Sequence, residues 1–282
     1  MKRQQRKTVW GKKAVHSALL AALAALAALL AGCSQPKEYQ ESSVYAMDTI
    51  MRFQVLASPD SNLEGVLRDE VQRVDLLLSA TDPDSELYQL NHREGEAFTA
   101  SQELADILDG CLEISRETGG ALNIALYPVT QAWGFTTGDY HVPDAVTLSD
   151  AMEKIHWEEI EMDGTQVWLP EGMELDLGAV GKGYLTDRCV ELLRENQVSS
   201  ALLDLGGNIY AHGRKEDGTA WRIGIQDPSG QGLVASFTAE DEAVVTSGTY
   251  QRYFEADGKR YHHILDSGTG YPVENGLSLI HI

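Results

Sequence analysis

Residues 174–195 read ELDLGAVGKGYLTDRCVELLRE, and this stretch contains the change of pattern that decides the fold. A short apolar run carrying Asp176 turns through three glycines: Gly178, Gly181 and Gly183. The apolar residues that follow recur with the period of a helix, at i, i+4 and i+7: Leu185, Cys189 and Leu192. The stretch therefore predicts an extended segment, a glycine-rich turn and a helix in succession.

The start of that helix has the features of an anion site. Lys182 lies between two glycines, which permit a ligand to approach the backbone closely, and the first N–H groups of a helix are unpaired and carry partial positive charge. The spacing differs from the G-x-x-x-x-G-K-[ST] pattern of a P-loop. The turn predicts a phosphate site. The alternative is a purely structural turn in which Lys182 is solvated and Asp176 only caps the turn.

The N-terminus has the pattern of an export signal. Residues 1–32 contain six Lys and Arg residues and no acid, and residues 18–31 are Ala and Leu, too short a run for an ordinary membrane span. The run ends in Leu-Ala-Gly-Cys, which resembles a bacterial lipobox with Cys33 as the acylated residue. We expect a signal peptide at 1–32, a polar tether at 33–44, and a lipid anchor on the extracytoplasmic face of the cell membrane. A cleaved signal with a coincidental cysteine is the alternative.

Composition excludes one class of function and predicts the state of two thiols. The chain has 22 Lys and Arg against 43 Asp and Glu, for a net charge of −21, so it has no basic footprint for nucleic acid. Cys111 and Cys189 each belong to an apolar helical stripe, which favours buried free thiols over a disulfide.

The order of predicted elements indicates an α+β fold around a largely antiparallel β-sheet with packed helices. Helical periodicity occurs early, at 63–78 and 104–111, and again at 184–196. Strand-like segments occupy much of the rest, chiefly at 49–56, 201–205, 221–225, 233–237, 243–246 and 261–265. We expect one domain over residues 45–282.

Polar groups recur where predicted buried strands meet glycines. The segments concerned are Asp204-Leu205-Gly206-Gly207-Asn208, Thr246-Ser247-Gly248-Thr249-Tyr250, His262-His263-Ile264-Leu265-Asp266 and the turn Gly268-Thr269-Gly270-Tyr271-Pro272. Hydroxyl, carboxylate and imidazole groups at several strand ends suit a ligand that bears phosphate.

With these segments the chain closely resembles the ApbE family of FAD:protein FMN transferases over roughly residues 44–278. Further segments occur in the order of that family: Met47, Leu78-Ser79 through Asp84-Ser85, Asn91, Thr118 to Ala121, and Trp133-Gly134-Phe135. The resemblance implies a T-fold-related flavin transferase that takes FAD and a divalent cation, usually Mg²⁺. It would attach FMN to a Thr or Ser hydroxyl of a partner protein and release AMP. Typical partners are flavoprotein subunits of ion-pumping or extracellular electron-transfer systems.

The resemblance also assigns roles to individual residues. It implies FAD contacts for Met47, Ala121, Leu122, Asn123, Asp176, Lys182, Thr246, Ser247, Gly248, His263 and Ile264. It implies that His263 is a catalytic base, that Lys182 neutralises developing charge, and that Ala179 offers its backbone carbonyl to the metal. His262 is expected to be structural or exposed. The alternative for His263 is a strand histidine satisfied by hydrogen bonds.

The sequence departs from the family pattern at three places. Thr81 replaces an aromatic residue between Ser79 and Pro83, and Asn123 replaces an expected carboxylate in the segment 121–124. An Asp-and-Thr metal motif of the family falls beyond Ile282, so we expect the domain as given to lack that segment. Two other functions stay open: hydrolysis of FAD to FMN and AMP at the same site, and a non-catalytic flavin-binding lipoprotein.

Overall fold

The computed structural model describes residues 36–93, 97–227, 232–249, 252–274 and 279–281. The helices are α1 (Leu63–Leu78), α2 (Glu86–Asn91), α3 (Gln102–Glu117), α4 (Tyr127–Ala132), α5 (Ala145–Met152) and α6 (Gly181–Glu195), with a short 3₁₀ turn at Trp157–Glu159. No helix among these residues is long and apolar enough to cross a bilayer.

The strands in the same residues form one large sheet and three small ones. They are β1 (Glu38–Ala46), β2 (Thr49–Ala57), β3 (Phe98–Thr99), β4 (Glu161–Asp163), β5 (Gln166–Trp168), β6 (Ser200–Asp204), β7 (Asn208–Gly213), β8 (Trp221–Gln226), β9 (Leu233–Ala239), β10 (Glu242–Gly248), β11 (Tyr253–Ala256), β12 (Lys259–His262) and β13 (Leu279–His281). The large sheet has the order β1-β2-β6-β7-β10-β13. Every pairing of the named strands is antiparallel, so the predicted α+β fold is confirmed.

The first strand corrects the predicted tether. Residues 33–44 were expected to be an unpaired polar linker, but β1 begins at Glu38 and pairs with β2 over its full length. Its polar residues suit an edge strand, because one face and one edge of such a strand remain exposed to water. The predicted signal peptide at 1–32 and Cys33 lie outside the described residues.

The main core lies between the large sheet and the long helices. It joins apolar residues of β2 and β6 to those of α1, α3 and α6, including Leu67, Leu108, Leu185 and Leu203. The stripe predicted for α6 is buried at Leu185 and Cys189 and continues through Leu193. This packing fixes the start of α6 against the end of the sheet.

The two cysteines are buried free thiols, as predicted. Burial raises the pKa of Cys111 to about 11 and that of Cys189 to about 12, because the thiolate is poorly solvated in an apolar environment. Both residues therefore serve as small apolar core residues.

A second, aromatic core supports the hairpin β11–β12. Trp133 and Phe135 pack with Phe254 and Tyr261, with ring centroids 5.2 to 6.4 Å apart. The Trp133 indole donates a hydrogen bond of 2.7 Å to the carbonyl of Gly270. The hairpin is thereby anchored to the body of the domain, which matters because the chain on either side of it carries Arg252 and His263.

Candidate active site

The predicted glycine-rich turn leads directly into α6. The Asp176 amide donates to the Ile124 carbonyl at 2.8 Å, and the Asp176 carboxylate accepts the Gly178 amide at 2.8 Å. The helix begins at Gly181 without a side-chain cap, so its first N–H groups have no capping side chain. Burial raises the pKa of the half-buried Asp176 carboxyl. The Val180 and Gly181 amides both donate to the Leu177 carbonyl, at 3.0 and 2.8 Å, so these two amides are not free for an anion. The phosphate site at this turn stays a prediction.

Lys182 extends from this helix start towards the end of the large sheet. Its Nζ donates to the Gly206 carbonyl at 3.4 Å, in the turn between β6 and β7. Burial is the largest cause that lowers the pKa of Lys182; the positive charge of Arg252 lowers it further, whereas Asp48 and Asp204 oppose the shift. A half-buried ammonium group of this kind gains from an anionic ligand, because such a ligand replaces the lost hydration.

The β1–β2 turn places Met47 beside the same helix start. Met47 and Asp48 have φ values of 47° and 57°, which is left-handed backbone that favours glycine or asparagine. A Cβ atom added to Gly181 would lie 3.8 Å from the Met47 Sδ atom. Two consecutive strained non-glycine residues therefore meet the glycine-rich turn, and strain of this kind is often found at functional sites.

His263 has a defined orientation and tautomer. Its backbone N–H and its ring Nδ1 both lie 3.2 Å from the Arg252 carbonyl, which can only accept, so Nδ1 carries the proton. The other ring nitrogen, Nε2, is then the basic one. Burial is the main cause that lowers the pKa of His263, and the charges of Arg252 and Lys182 add to the effect.

The neighbouring histidine is structural, as predicted. His262 is buried; its Nε2–H donates to the Val273 carbonyl at 3.2 Å, and its Nδ1 accepts the Ile264 amide at 3.3 Å. Both ring nitrogens are occupied, so His262 has no basic atom for a substrate.

We call Lys182, Arg252 and His263, together with their contact residues Gly206 and Asp48, the basic corner. The charge of Arg252 affects the pKa values of Lys182, Asp176 and His263, so these groups lie within electrostatic range of one another. Thr246 closes one side, because its N–H and Oγ1 donate to the Gly207 carbonyl at 2.9 and 3.2 Å, next to the carbonyl that Lys182 contacts.

The segment 121–123 does not offer its polar side chain to the basic corner. The Asn123 Nδ2 donates to the Ile155 carbonyl, and its Oδ1 accepts the Ala125 amide, both at 2.9 Å. Leu122 packs against the main core, and Ala121 is exposed. Asn123 therefore has a structural role in its own loop, although the Ile124 carbonyl connects that loop to Asp176.

The remaining predicted residues lie on strand ends. Ser247 and Gly248 pair with β13 through their backbone, and the Ile264 carbonyl accepts the Val273 amide at 3.0 Å. Asp204 and Asp266 fix turns, as their positions beside glycines suggested: each accepts two backbone amides at 2.8 to 3.2 Å.

The described residues do not by themselves form a magnesium site. Ala179 is exposed in the turn, where its carbonyl would accompany the Asp176 carboxyl. Among the residues that the structure describes, no three His, Cys, Asp or Glu side chains could hold a metal ion together. Mg²⁺ needs a nearly octahedral set of oxygen ligands, and this set is incomplete.

Two residues of the basic corner escaped the sequence analysis. Arg252 forms an ion pair with Asp48 at 2.9 Å, across 204 positions of the chain. The sequence signal for Asp48 is weak, since no periodicity predicts left-handed backbone at Met47 and Asp48. Arg252 follows the predicted Thr246–Tyr250 segment closely, but nothing in its neighbours indicates a long-range partner.

The fold and the basic corner define a class of protein, namely an α+β enzyme-like domain with a cationic site and an adjacent histidine base, suited to a phosphate-bearing ligand. The chain belongs to the ApbE family, whose sequence model matches residues 47–282.

Relatives and solved structures of the same family are similar over most of their length. An FAD:protein FMN transferase of Klebsiella pneumoniae is 37% identical over 231 residues, which is 80% of this chain and 71% of the relative. One of Treponema pallidum is 34% identical over 276 residues, 89% and 75% of the two chains. The crystal structure of the ApbE protein of Thermotoga maritima has a TM-score of 0.79 at 28% identity, covering 86% and 80%. The flavin transferase ApbE of Vibrio cholerae has a TM-score of 0.77 at 25% identity, covering 86% and 81%.

Proposed function

We propose that this chain transfers FMN from FAD to a Thr or Ser hydroxyl of a partner protein and releases AMP. The observation that carries the proposal is the fixed tautomer of His263, whose basic Nε2 belongs to the same corner as the Lys182 ammonium group. The names of the similar proteins support it, since those relatives are FAD:protein FMN transferases. The partner is an acceptor flavoprotein subunit that carries the hydroxyl.

The chemistry is a phosphoryl transfer in which charge and position matter most. The acceptor oxygen bonds to the phosphorus of the FMN half, and the bond from that phosphorus to the bridging oxygen breaks. His263 Nε2 takes the proton of the acceptor hydroxyl. We assign to Lys182 the neutralisation of charge on the diphosphate and on the leaving AMP.

We assign the FAD contacts to the predicted residues: Met47, Ala121, Leu122, Asn123, Asp176, Lys182, Thr246, Ser247, Gly248, His263 and Ile264. Support differs among them. Met47 lies against the glycine-rich turn, and Lys182 and Thr246 bond to adjacent carbonyls of one turn. The Asn123 side chain is bonded within its own loop, so the contact assigned to Asn123 is through the backbone of that loop, which holds Asp176.

We also propose that the reaction requires Mg²⁺, with Ala179 contributing its carbonyl. The support is chemical, because substrate phosphates are themselves the oxygen ligands that Mg²⁺ prefers. The ligand set of the described residues is incomplete, so no step of the mechanism is assigned to the metal. Transfer measured with Mg²⁺ and with excess EDTA tests the requirement, and equal rates would contradict it.

The proposed location is the extracytoplasmic face of the cell membrane, with a lipid on Cys33. The support is the basic and apolar N-terminus that ends in Leu-Ala-Gly-Cys. Partition of the expressed protein between detergent and water tests it. Cys33→Ser is expected to move the protein from the detergent phase into the aqueous phase; the same partition for both proteins would refute the anchor.

The decisive experiment is incubation with FAD and Mg²⁺, with and without a flavoprotein domain that carries a Thr acceptor. Covalent FMN is read by in-gel fluorescence and AMP by chromatography. The proposal expects covalent FMN and AMP in equal amounts, reduced about a hundredfold in Lys182→Gln, the typical cost of losing one charge-stabilising group. Lys154→Gln, an exposed lysine, is the matched control. AMP and free FMN without covalent product would indicate a hydrolase, and unchanged FAD a binding protein.

A further inference from the structure

The β1–β2 turn is bonded to Asp75, a residue of α1. The Asp75 Oδ1 accepts the Met47 amide at 3.1 Å, and burial raises the pKa of this carboxyl. The turn itself consists of two left-handed non-glycine residues. A glycine or asparagine would adopt this backbone at a lower cost in free energy. The presence of Met47 and Asp48 at these two positions therefore indicates a role for their side chains.

Asp48 uses its side chain to reach the far end of the chain. Its carboxylate binds the Arg252 guanidinium at 2.9 Å, although the Asp48 side chain is 74% exposed and that of Arg252 40% exposed. An ion pair with this much exposure contributes little to folding stability, because water screens it. Stability alone therefore does not account for the pair.

The Asp48 carboxylate joins the Arg252 side chain to the β1–β2 turn. The Arg252 carbonyl accepts both the backbone N–H and the Nδ1–H of His263. Any displacement of Arg252 moves the carbonyl that sets the ring orientation and the tautomer of the base. A single chain of contacts thus runs from Asp75 through Met47, Asp48 and Arg252 to His263.

We propose that Asp48 and Arg252 are a positioning pair that holds the base His263 in its reactive orientation, with Met47 of the same turn set against the glycine-rich turn. This inference rests on the proposed transfer function. The β1–β2 turn thereby has a role in the reaction. Met47 and Asp48 are adjacent in this turn, and the ion pair of Asp48 with Arg252 connects the turn to His263.

The Arg252 side chain has a second effect that makes its role measurable. The charged and titratable groups that act on His263 are Arg252, His262 and Lys182, and each of them disfavours the imidazolium form. Removal of the guanidinium raises the pKa of His263, whereas loss of the bond to the Arg252 carbonyl, which favours the imidazolium form, lowers it. A shift of the acid limb of the pH–rate profile in either direction is a change that loss of stability alone does not produce.

The test compares the full chain with Asp48→Ala, Arg252→Ala, Arg252→Lys and the double alanine variant. The matched control is Arg260→Ala, which removes an exposed arginine of the same hairpin that pairs with Glu255. Covalent FMN transfer is followed with a Thr-bearing flavoprotein domain at several FAD concentrations and pH values. Thermal melting checks that each variant is folded.

Misplacement of a catalytic group by about 1 Å can cost about a hundredfold in rate, so we expect kcat to fall about ten- to a hundredfold in each single alanine variant. The KM for FAD should change less than kcat. The double variant should be no slower than the slower single variant within about twofold, because both changes break one contact. Arg252→Ala should shift the acid limb, to higher pH where loss of the guanidinium charge dominates and to lower pH where loss of the carbonyl bond dominates, whereas Arg252→Lys and Arg260→Ala should leave it in place.

The proposal is overturned if the wild-type chain transfers FMN while both single alanine variants keep kcat within about twofold. It is also overturned if their effects multiply in the double variant, since independent losses are additive in free energy. If Arg252→Ala does not fold, the kcat values of Asp48→Ala and Arg252→Lys test the proposal instead. A wild-type chain that transfers no FMN to the acceptor refutes the proposed function instead.

Discussion

The basic corner and the loop 121–124 both contain polar side chains beside the glycine-rich turn, yet they differ in what those side chains bond to. In the loop, the Asn123 side-chain amide donates to the Ile155 carbonyl and accepts the Ala125 amide, so both of its polar groups are bonded. In the basic corner, Lys182 has one long bond of 3.4 Å to a carbonyl, and His263 keeps a basic ring nitrogen. A polar side chain can bind a ligand only through donors or acceptors that are not already bonded within the protein.

The largest expected effect comes from removing the base in the basic corner. His263→Ala should lower FMN transfer by about a hundred- to ten-thousandfold, the usual contribution of a positioned base, while FAD affinity changes only a few-fold. Covalent FMN and equilibrium FAD binding are the measurements. His156→Ala, which changes an exposed histidine, is the control. Unchanged transfer would show that His263 is not the base, and the basic corner would then differ from the loop in no catalytic group at this position.

The next prediction concerns how kcat/KM depends on pH through His263 of the basic corner. Burial and the nearby cations lower the pKa of His263, so its neutral, basic form persists to lower pH than in a free histidine. The acid limb of kcat/KM should therefore lie below about 6.5, the ordinary histidine value. An acid limb at or above that value would show that another group controls the reaction.

A glycine of the basic corner should be costly to replace. Gly206 has a φ of +70°, and an added Cβ would meet the Thr49 side chain at 2.3 Å. Gly206→Ala should lower the free energy of unfolding by about 1–3 kcal/mol through backbone strain. Gly110, in the middle of α3, is the matched control: its Cβ meets nothing within 4 Å, and Gly110→Ala should raise stability by about 1 kcal/mol. Denaturant unfolding measures both, and equal effects would contradict the structure of this turn.

The smallest expected effect concerns the loop. Asn123→Asp supplies the carboxylate of the family pattern but removes the donor to the Ile155 carbonyl. The free energy of unfolding should fall by about 1 kcal/mol, and FMN transfer should stay within about twofold of the wild type. A large gain of transfer in Asn123→Asp would show that this position faces the substrate, and the two regions would then be one site.

Local signals in the sequence predicted much of the fold. The helical stripes of α1 and α6 and the buried strand β6 follow from periodicity. The α1 stripe is buried throughout, whereas Leu192 of α6 and Leu202 of β6 are half-buried. Two predictions of extent were wrong: β1 lies where a tether was expected, and the strand expected at 261–265 ends at His262 after the unpredicted strand β11. Edge strands rich in polar residues have no clear alternation, so periodicity does not reveal them.

The amino-acid sequence alone determined the glycine-rich turn, the helix that follows it and the place of Lys182 at the helix start, because glycine placement and apolar period act over a few neighbouring residues. The role of His263 was predicted from the resemblance to the family. Only the tertiary structure decided that Asn123 is consumed by its own loop and that Arg252 orients His263 while bound to Asp48. The Asn123 side chain bonds to groups 2 and 32 positions away, whereas the Arg252–Asp48 pair depends on left-handed backbone in one turn and on a contact across 204 positions. No local pattern encodes contacts of that range.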